Sequence, residues 1–262
     1  MKPKPAHLGL QYAMQFQDNS IADAYHYRQP YTAETIDILV GLITDSPRAV
    51  LDVGCGTGDL ARRLVERVER VDAVDFSQAM LNKGKRLPGG DHPHLNWIFG
   101  HIEDVTLQPP YALITAGESL HWMEWDIVMP LFRSVLTPHG YLAIVGRGAE
   151  NNPWEGEMLR LIKRFSTNQE FLPYDLLEEL EQRHLFERQG EVRTQTISVK
   201  QSGEEYIQAF HSMNGFSRER MGEDAADAFD NEARKVLAPF MQDGQVTLSV
   251  VNGVTWGKPL AG

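Results

Sequence analysis

One cysteine, Cys55, stands in 262 residues, so no internal disulfide can form and a reducing compartment fits. Basic residues are also short: 25 Lys and Arg against 36 Asp and Glu give a formal net charge of -11. Without a basic stripe to displace counterions, DNA or a large RNA is not an expected partner. No apolar run approaches the roughly 18 residues of a membrane span, and Met1-Lys-Pro-Lys-Pro5 is followed by no apolar h-region. A cytoplasmic protein without a membrane partner is therefore expected. Internal repeats and low-complexity tracts are lacking too, and the acidic run 223–232 reads as a solvated helix face.

What is present is a single dense signal, Val50-Leu-Asp-Val-Gly-Cys-Gly-Thr-Gly-Asp-Leu60. A β-branched apolar run ending in three alternate glycines and passing into Leu60-Ala-Arg-Arg-Leu64 predicts a buried strand, a tight turn and a helix. Such a crossover binds ligands, because glycine lets the backbone approach them closely. A dinucleotide fingerprint wants Gly-x-Gly-x-x-Gly, yet the sixth position from Gly54 is Asp59, and Asp52 lies just before the turn. Two anions repel a pyrophosphate and attract an ammonium or a sulfonium, which favours S-adenosylmethionine (SAM) over NAD.

Four ordered stretches carry a family likeness: Leu51-Asp-Val-Gly-Cys-Gly-Thr-Gly58; Val71-Asp-Ala-Val-Asp-Phe-Ser77 with Met80; Tyr111-Ala-Leu-Ile-Thr-Ala116; and Leu136-Thr-Pro-His-Gly-Tyr-Leu-Ala-Ile144. On them the chain resembles the class I SAM-dependent methyltransferases over residues 49–146, and more specifically their small-molecule and small-acid members. The resemblance implies an α/β fold: a Rossmann-like, seven-stranded, mostly parallel sheet whose last strand is antiparallel, with helices on both faces. The length predicts one domain over 1–262; the resemblance implies a lid and first helix at 1–45 and a SAM-binding core at 49–146, and a helical insertion at 202–243, between the last two expected strands, is expected over the substrate site.

Along the chain, the first ten residues read as a mobile arm. Residues 16–31 are dense in aromatics, and by the resemblance a Tyr-x-x-Arg element there folds over the cofactor, placing Tyr25 and Arg28 near the methionine end of SAM. An amphipathic helix packing its tyrosines on the core is the competing reading. Ile36, Leu39, Val40 and Ile43 share one face of a helix starting at Thr32 or Ala33. Strands are expected at Ala49–Val53, Val71–Val74, Leu95–Phe99, Ala112–Ala116, Tyr141–Val145, Glu191–Lys200 and Gln245–Trp256. Helices are expected from the glycine turn to about Glu69, from Trp125 to Leu136, and at about 154–166, 173–183, 204–213 and 225–240.

The candidate cofactor residues are Asp52, Gly54, Cys55, Gly56 and Gly58 of the first motif, Asp75, Phe76 and Met80 of the second, Ala116 at the end of strand four, and Tyr25 with Arg28. Asp75 ends strand two, where a carboxylate can accept both ribose hydroxyls. Cys55 has no nearby His-Asp pattern and reads as a small packing residue within the turn, not a nucleophile. In the family the turn after strand three holds adenine, often with an Asp where His101 stands here; Ile102 and Glu103 are carried over. Gly117-Glu-Ser-Leu-His-Trp-Met-Glu-Trp125 lies at the carboxyl edge of the sheet. His121 can serve there as a base near neutral pH or as a binding group. Trp122 joins it, because similar His-Trp pairs occur in small-acid methyltransferases, where the Trp helps hold a carboxylate that needs no base. Phe210, His211, Met213, Asn214 and Phe216 are the candidate acceptor wall.

The expected activity is methyl transfer from SAM, leaving S-adenosylhomocysteine (SAH), to a small-molecule acceptor, with a carboxylate or hydroxyl favoured and no metal required. The rivals are an NAD(P)-dependent oxidoreductase on a similar sheet and a SAM-binding protein without methyl transfer. The acceptor's identity and the oligomeric state are not encoded in any motif.

Overall fold

The computed structural model describes residues 4–170, 172 and 174–261. Its centre is a run of parallel strands, β1 (Ala49–Val53), β2 (Arg70–Asp75), β3 (Leu95–Phe99), β4 (Tyr111–Gly117) and β5 (Leu136–Glu150). All five residues of β1 are buried, as a strand covered on both faces requires. Alternate residues serve opposite layers: Leu51 and Ile114 join the apolar cluster that includes Val128 and Phe132, whereas Val50 and Leu113 join the one that includes Leu39 and Leu64.

The sheet order is β3-β2-β1-β4-β5-β8-β6, with β8 spanning Gln245–Pro259 and β6 spanning Phe186–Arg193. Order reverses between β1 and β4, and in such sheets the crevice at the carboxyl ends beside the switch takes the ligand. β8 runs antiparallel to β5, to β6 and to β7 (Ile197–Ser202).

Among the described residues the sheet thus has eight strands, one more than expected, because the segment assigned to a single strand at Glu191–Lys200 is divided. Thr194 breaks it by exchanging hydrogen bonds with Asn252 on β8: its N–H donates to the Asn252 carbonyl (2.9 Å) and its hydroxyl accepts from the Asn252 N–H (3.0 Å). Side-chain alternation runs through the break, so the pattern fused the two.

Other boundaries also shift. The helix after the glycine turn is only Ala61–Leu64, closing in a tight turn from the Arg67 N–H to the Leu64 carbonyl. β-Branched Val65 and Val68 add little helix propensity beyond it. Helices form at Ala33–Gly41, capped by Thr32, and at Gln78–Gly84, Trp125–Val135, Glu155–Phe165 and Leu176–Gln182. Residue 173, where the last of these was expected to start, lies outside the described residues, and Asp175 caps the helix instead.

The insertion holds Gly203–Phe210, Arg218–Met221 and Glu223–Leu237, packed through Phe210, Phe216 and Phe229 onto β8. From residue 4 the N-terminal segment is packed, not a free arm: His7 and Leu8 are buried and the Lys4 ammonium donates to the Met123 carbonyl (3.0 Å). Residues 1–3 of the expected arm lie outside the described residues. No helix among the described residues is long and apolar enough to cross a membrane.

Candidate functional site

β1 delivers the chain to Gly54, whose φ of +63° is costly for any other residue and where a Cβ would lie 2.5 Å from that of Ser119. Gly56 has φ +57°, and a Cβ there would press on the Tyr25 hydroxyl at 3.2 Å. The Cys55 N–H donates to the Val74 carbonyl (3.0 Å), fixing the turn to β2. At the end of β2 the Asp75 carboxylate then accepts from the Gly56 N–H (2.7 Å) and the Ser77 N–H (2.8 Å). Burial pushes its pKa up to about 6 against the pull of those two donors. Each carboxylate oxygen accepts one bond in this arrangement and keeps capacity for another.

Asp75 lines a cleft with Gly54, Gly56, Phe76, Met80, Ile102 and Glu103, covered by Phe16, Tyr25 and Arg28 from the N-terminal segment. Phe76 stacks nearly parallel to His101, ring centroids 5.1 Å apart. Nine of the sequence candidates are thereby brought to one cleft: Tyr25, Arg28, Gly54, Gly56, Asp75, Phe76, Met80, Ile102 and Glu103. Trp122 also reaches it.

Four candidates do not line this cleft. Asp52 sits beneath the turn, where its carboxylate accepts from the Thr115 hydroxyl (2.7 Å) and burial pushes its pKa to about 7. Cys55 packs in the core, and Gly58 backs onto Trp97. Ala116 lines a neighbouring cavity instead. Asp59, the other anion of the charge argument, pairs with Arg147 at 3.3 Å. The acidic residues lining the cleft are Asp75, Glu103 and Glu118, against the one guanidinium of Arg28.

The neighbouring cavity, of about 1060 Å³, shares Phe16, Arg28, Glu118, Ser119 and Trp122 with the cleft. Arg28 anchors the junction. Its Nε donates to the Ser212 hydroxyl (2.8 Å) and Nη2 to the Ser212 carbonyl (2.5 Å), Nη1 is 3.5 Å from Glu118, and the guanidinium lies 4.4 Å from the Tyr25 ring centroid. Glu118 has φ +53°, a strained value held by its N–H donating to the Val145 carbonyl and its Oε1 accepting from the Arg147 N–H. Arg147 lies over Tyr31 and donates to the Gln29 carbonyl (2.9 Å).

His121 lines this larger cavity. Burial, and to a lesser degree the charges of Lys4, Arg28 and His7, lowers its pKa to about 3, so the ring is neutral at physiological pH. Trp122 lies beside it, centroids 4.6 Å apart, and the ring nitrogens of both lack hydrogen-bond partners among the described residues.

From the insertion, Met213, Asn214 and Phe216 line the cavity, whereas Phe210 and His211 do not. Phe210 packs against Phe229, and His211 is held between the Phe216 carbonyl (2.9 Å) and Asp230 (2.7 Å). The sequence reading missed Phe16, Glu118, Ser119 and Arg147. Arg147 carried a usable signal, since it follows the expected end of a parallel strand by two residues on the carboxyl side.

Residues 50–140 match the family model described as "Methyltransferase domain". A malonyl-[acyl-carrier protein] O-methyltransferase from Halalkalibacterium halodurans is 35% identical over 105 residues, covering 37% of this chain and 38% of that protein. A trans-aconitate 2-methyltransferase from Yersinia pestis is 30% identical over 141 residues, 47% of this chain and 53% of that protein. The matches thus span from about two fifths to about half the length of these relatives. A solved SAM-dependent methyltransferase from Thiobacillus denitrificans, in complex with SAH, aligns with TM-score 0.53 at 14% identity, over 92% of this chain and 97% of that one, a likeness of fold.

Proposed function

We infer that this chain, a member of the class I SAM-dependent methyltransferase family, transfers a methyl group from SAM to the carboxylate of a small-molecule acid. The observation that carries the reading is the cleft over the glycine turn, where three acidic residues face one guanidinium and Asp75 closes the end of β2. That balance attracts a ligand bearing an ammonium and a sulfonium and repels a pyrophosphate, so the dinucleotide alternative is not favoured. The conclusion drawn from Asp52 and Asp59 in the sequence stands, on different carboxylates.

The donor set fits SAM. Asp75 has acceptor capacity for ribose hydroxyls, Phe76, Met80 and Ile102 offer apolar contact to a base, and Arg28 offers a cation to a carboxylate. When bound there, SAM supplies an activated methyl group on a sulfonium that is already a good leaving group. Tyr25, Arg28 and Phe16 cover the cleft and exclude water from it.

On the acceptor side, His121 is neutral and too weak a base, at a pKa of about 3, to take a proton from an alcohol or phenol near pH 7. A carboxylate needs no base. Its oxygen forms the new bond to carbon as the carbon–sulfur bond breaks, giving a methyl ester and a neutral thioether, with no proton released. The Trp122 indole N–H and the His121 ring N–H are the donors that orient it. The names of the two relatives, one acting on a malonyl group and one on trans-aconitate, support an acid acceptor.

The test is calorimetric titration with SAM and SAH, followed by transfer of labelled methyl to carboxylic acids and phenols. Micromolar binding, weakened roughly 10- to 150-fold in Asp75→Ala as charge-assisted hydrogen bonds of about 1.5–3 kcal/mol require, with base-labile methyl esters as products, supports the reading. Absence of binding overturns the cofactor; alkali-stable ethers overturn the carboxylate.

A further inference from the structure

The acceptor cavity is larger and more apolar than a small polyacid requires. Its volume of about 1060 Å³ lies at the upper end of sites that enclose drug-sized ligands. Leu8, Ile144, Ile162, Leu176, Met213 and Phe216 form much of its wall, drawn from the N-terminal segment, β5, the helix Glu155–Phe165, the helix Leu176–Gln182 and the insertion.

Its polar groups are mostly committed to the protein. Asn168 donates to Asn214 (2.7 Å), and Asn214 donates to the Tyr12 carbonyl (2.9 Å). Arg28 and Arg147 both face Glu118, and Arg147 also faces Asp59. Two guanidiniums are therefore matched by two carboxylates. The uncommitted ring donors, His121 and Trp122, are adjacent and sit at the junction with the cofactor cleft. They suffice for one carboxylate. Lys163, at the exposed rim, is the remaining lining cation without an ion pair among the described residues. A second or third carboxylate inside would be desolvated with no unpaired cation among the described lining residues to meet it.

We propose that the acceptor is an amphiphilic monocarboxylic acid, its carboxylate at His121 and Trp122 and an extended apolar body lying along Ile144, Ile162, Met213 and Phe216 toward the rim. The inference rests on the carboxylate reading above. The step is the same, one oxygen–carbon bond made and one carbon–sulfur bond broken, so no further reactant is needed.

The experiment measures two quantities on the same protein. Binding of straight-chain monocarboxylates of four to ten carbons, phenyl-substituted acids, and short di- and tricarboxylates to the protein–SAH complex is followed by calorimetry, and methyl ester formation is followed separately with labelled SAM. Affinity and kcat/KM are expected to rise about fourfold for each added methylene until the cavity is filled. Tricarboxylates should fall at least 100-fold below the best monocarboxylate. Ile162→Asp and Leu176→Asp should each flatten the chain-length dependence, with SAH affinity within twofold of wild type to show that the fold and cleft are intact. Affinity that ignores chain length, or that favours polyacids, overturns the proposal. Chain-length-dependent binding without any ester formed overturns the methyl-transfer reading and leaves the amphiphile site standing; esters formed without chain-length preference do the reverse.

Discussion

Replacing Asp75 by Asn should weaken the cofactor site while sparing, or even stabilising, the empty protein. In the folded chain burial raises the Asp75 pKa to about 6, roughly two units above an unfolded aspartate, which amounts to about 3 kcal/mol against the ionised form. Because the folded pKa is raised, this group's contribution to stability is fully present below pH ~4 and is lost as pH rises through 6. Asparagine carries no charge and escapes that loss. It does, however, keep one carbonyl oxygen where the carboxylate had two, so either the Gly56 or the Ser77 N–H loses its acceptor, at about 1–3 kcal/mol.

The net change at pH 7.5 is therefore expected between zero and about 2 kcal/mol in favour of the variant, shrinking by about 1 kcal/mol at pH 5, where wild-type Asp75 is mostly protonated. Urea denaturation of the empty protein at both pH values reads this out. On the same samples, SAH affinity should drop roughly 10- to 150-fold with the loss of a charge-assisted acceptor. A variant destabilised by more than about 2 kcal/mol at pH 7.5 with SAH binding unchanged would refute the reasoning, because Asp75 would then be a structural anchor of the turn and no ligand group.

Other expectations follow from the same geometry. With His121 held neutral by burial at a pKa of about 3, any inflection of kcat/KM at pH 6–7 belongs to the buried carboxylates Asp75 and Asp52 and should persist in His121→Gln, which should raise KM about 10- to 100-fold with little change in kcat; an inflection at 6–7 that the variant abolishes would restore a base. Gly54→Ala should cost at least about 2 kcal/mol in thermal or urea unfolding, from a left-handed φ and a 2.5 Å approach to Ser119, and should abolish SAH binding; wild-type affinity in that variant would contradict the close approach. Amide exchange in residues 12–28 and 212–220 should slow together when SAH binds, and exchange that slows in only one of the two segments would argue against a shared cover.

Much of the fold was legible because its signals are local. The glycine turn, the first strand at Ala49–Val53 and the start of the preceding helix at Ala33 each reside in a few adjacent residues and agree with the structure, whereas the fifth strand, expected at Tyr141–Val145, extends over Leu136–Glu150. The division of the sixth strand was not legible, since it depends on Thr194 meeting Asn252, 58 residues away, while the alternation of side chains continues undisturbed. Which carboxylates reach the ligand was hidden for the same reason. Asp52 and Asp59 flank the turn in sequence, yet one is turned inward to Thr115 and the other outward to Arg147, and no spacing rule reports the direction a side chain takes.

The acceptor side is harder still, because its walls come from segments that meet only in the folded chain. The Asn214 amide donates to the Tyr12 carbonyl, the Gly215 N–H to Gln15 (2.9 Å), Arg220 to Asp18 (2.7 Å), and Arg28 to Ser212, each bond closing about 200 residues of sequence. These contacts join the N-terminal segment to the insertion as one cover, and Arg28, which lines both cavities, is its joint. A cofactor entering beneath Tyr25 must therefore disturb the same cover that forms the acceptor wall at Met213 and Phe216. Sequence changes at 12–28 or 212–220 are then expected to alter acceptor choice and cofactor affinity together, whereas changes beneath the glycine turn, at Asp52 or Thr115, alter the turn alone.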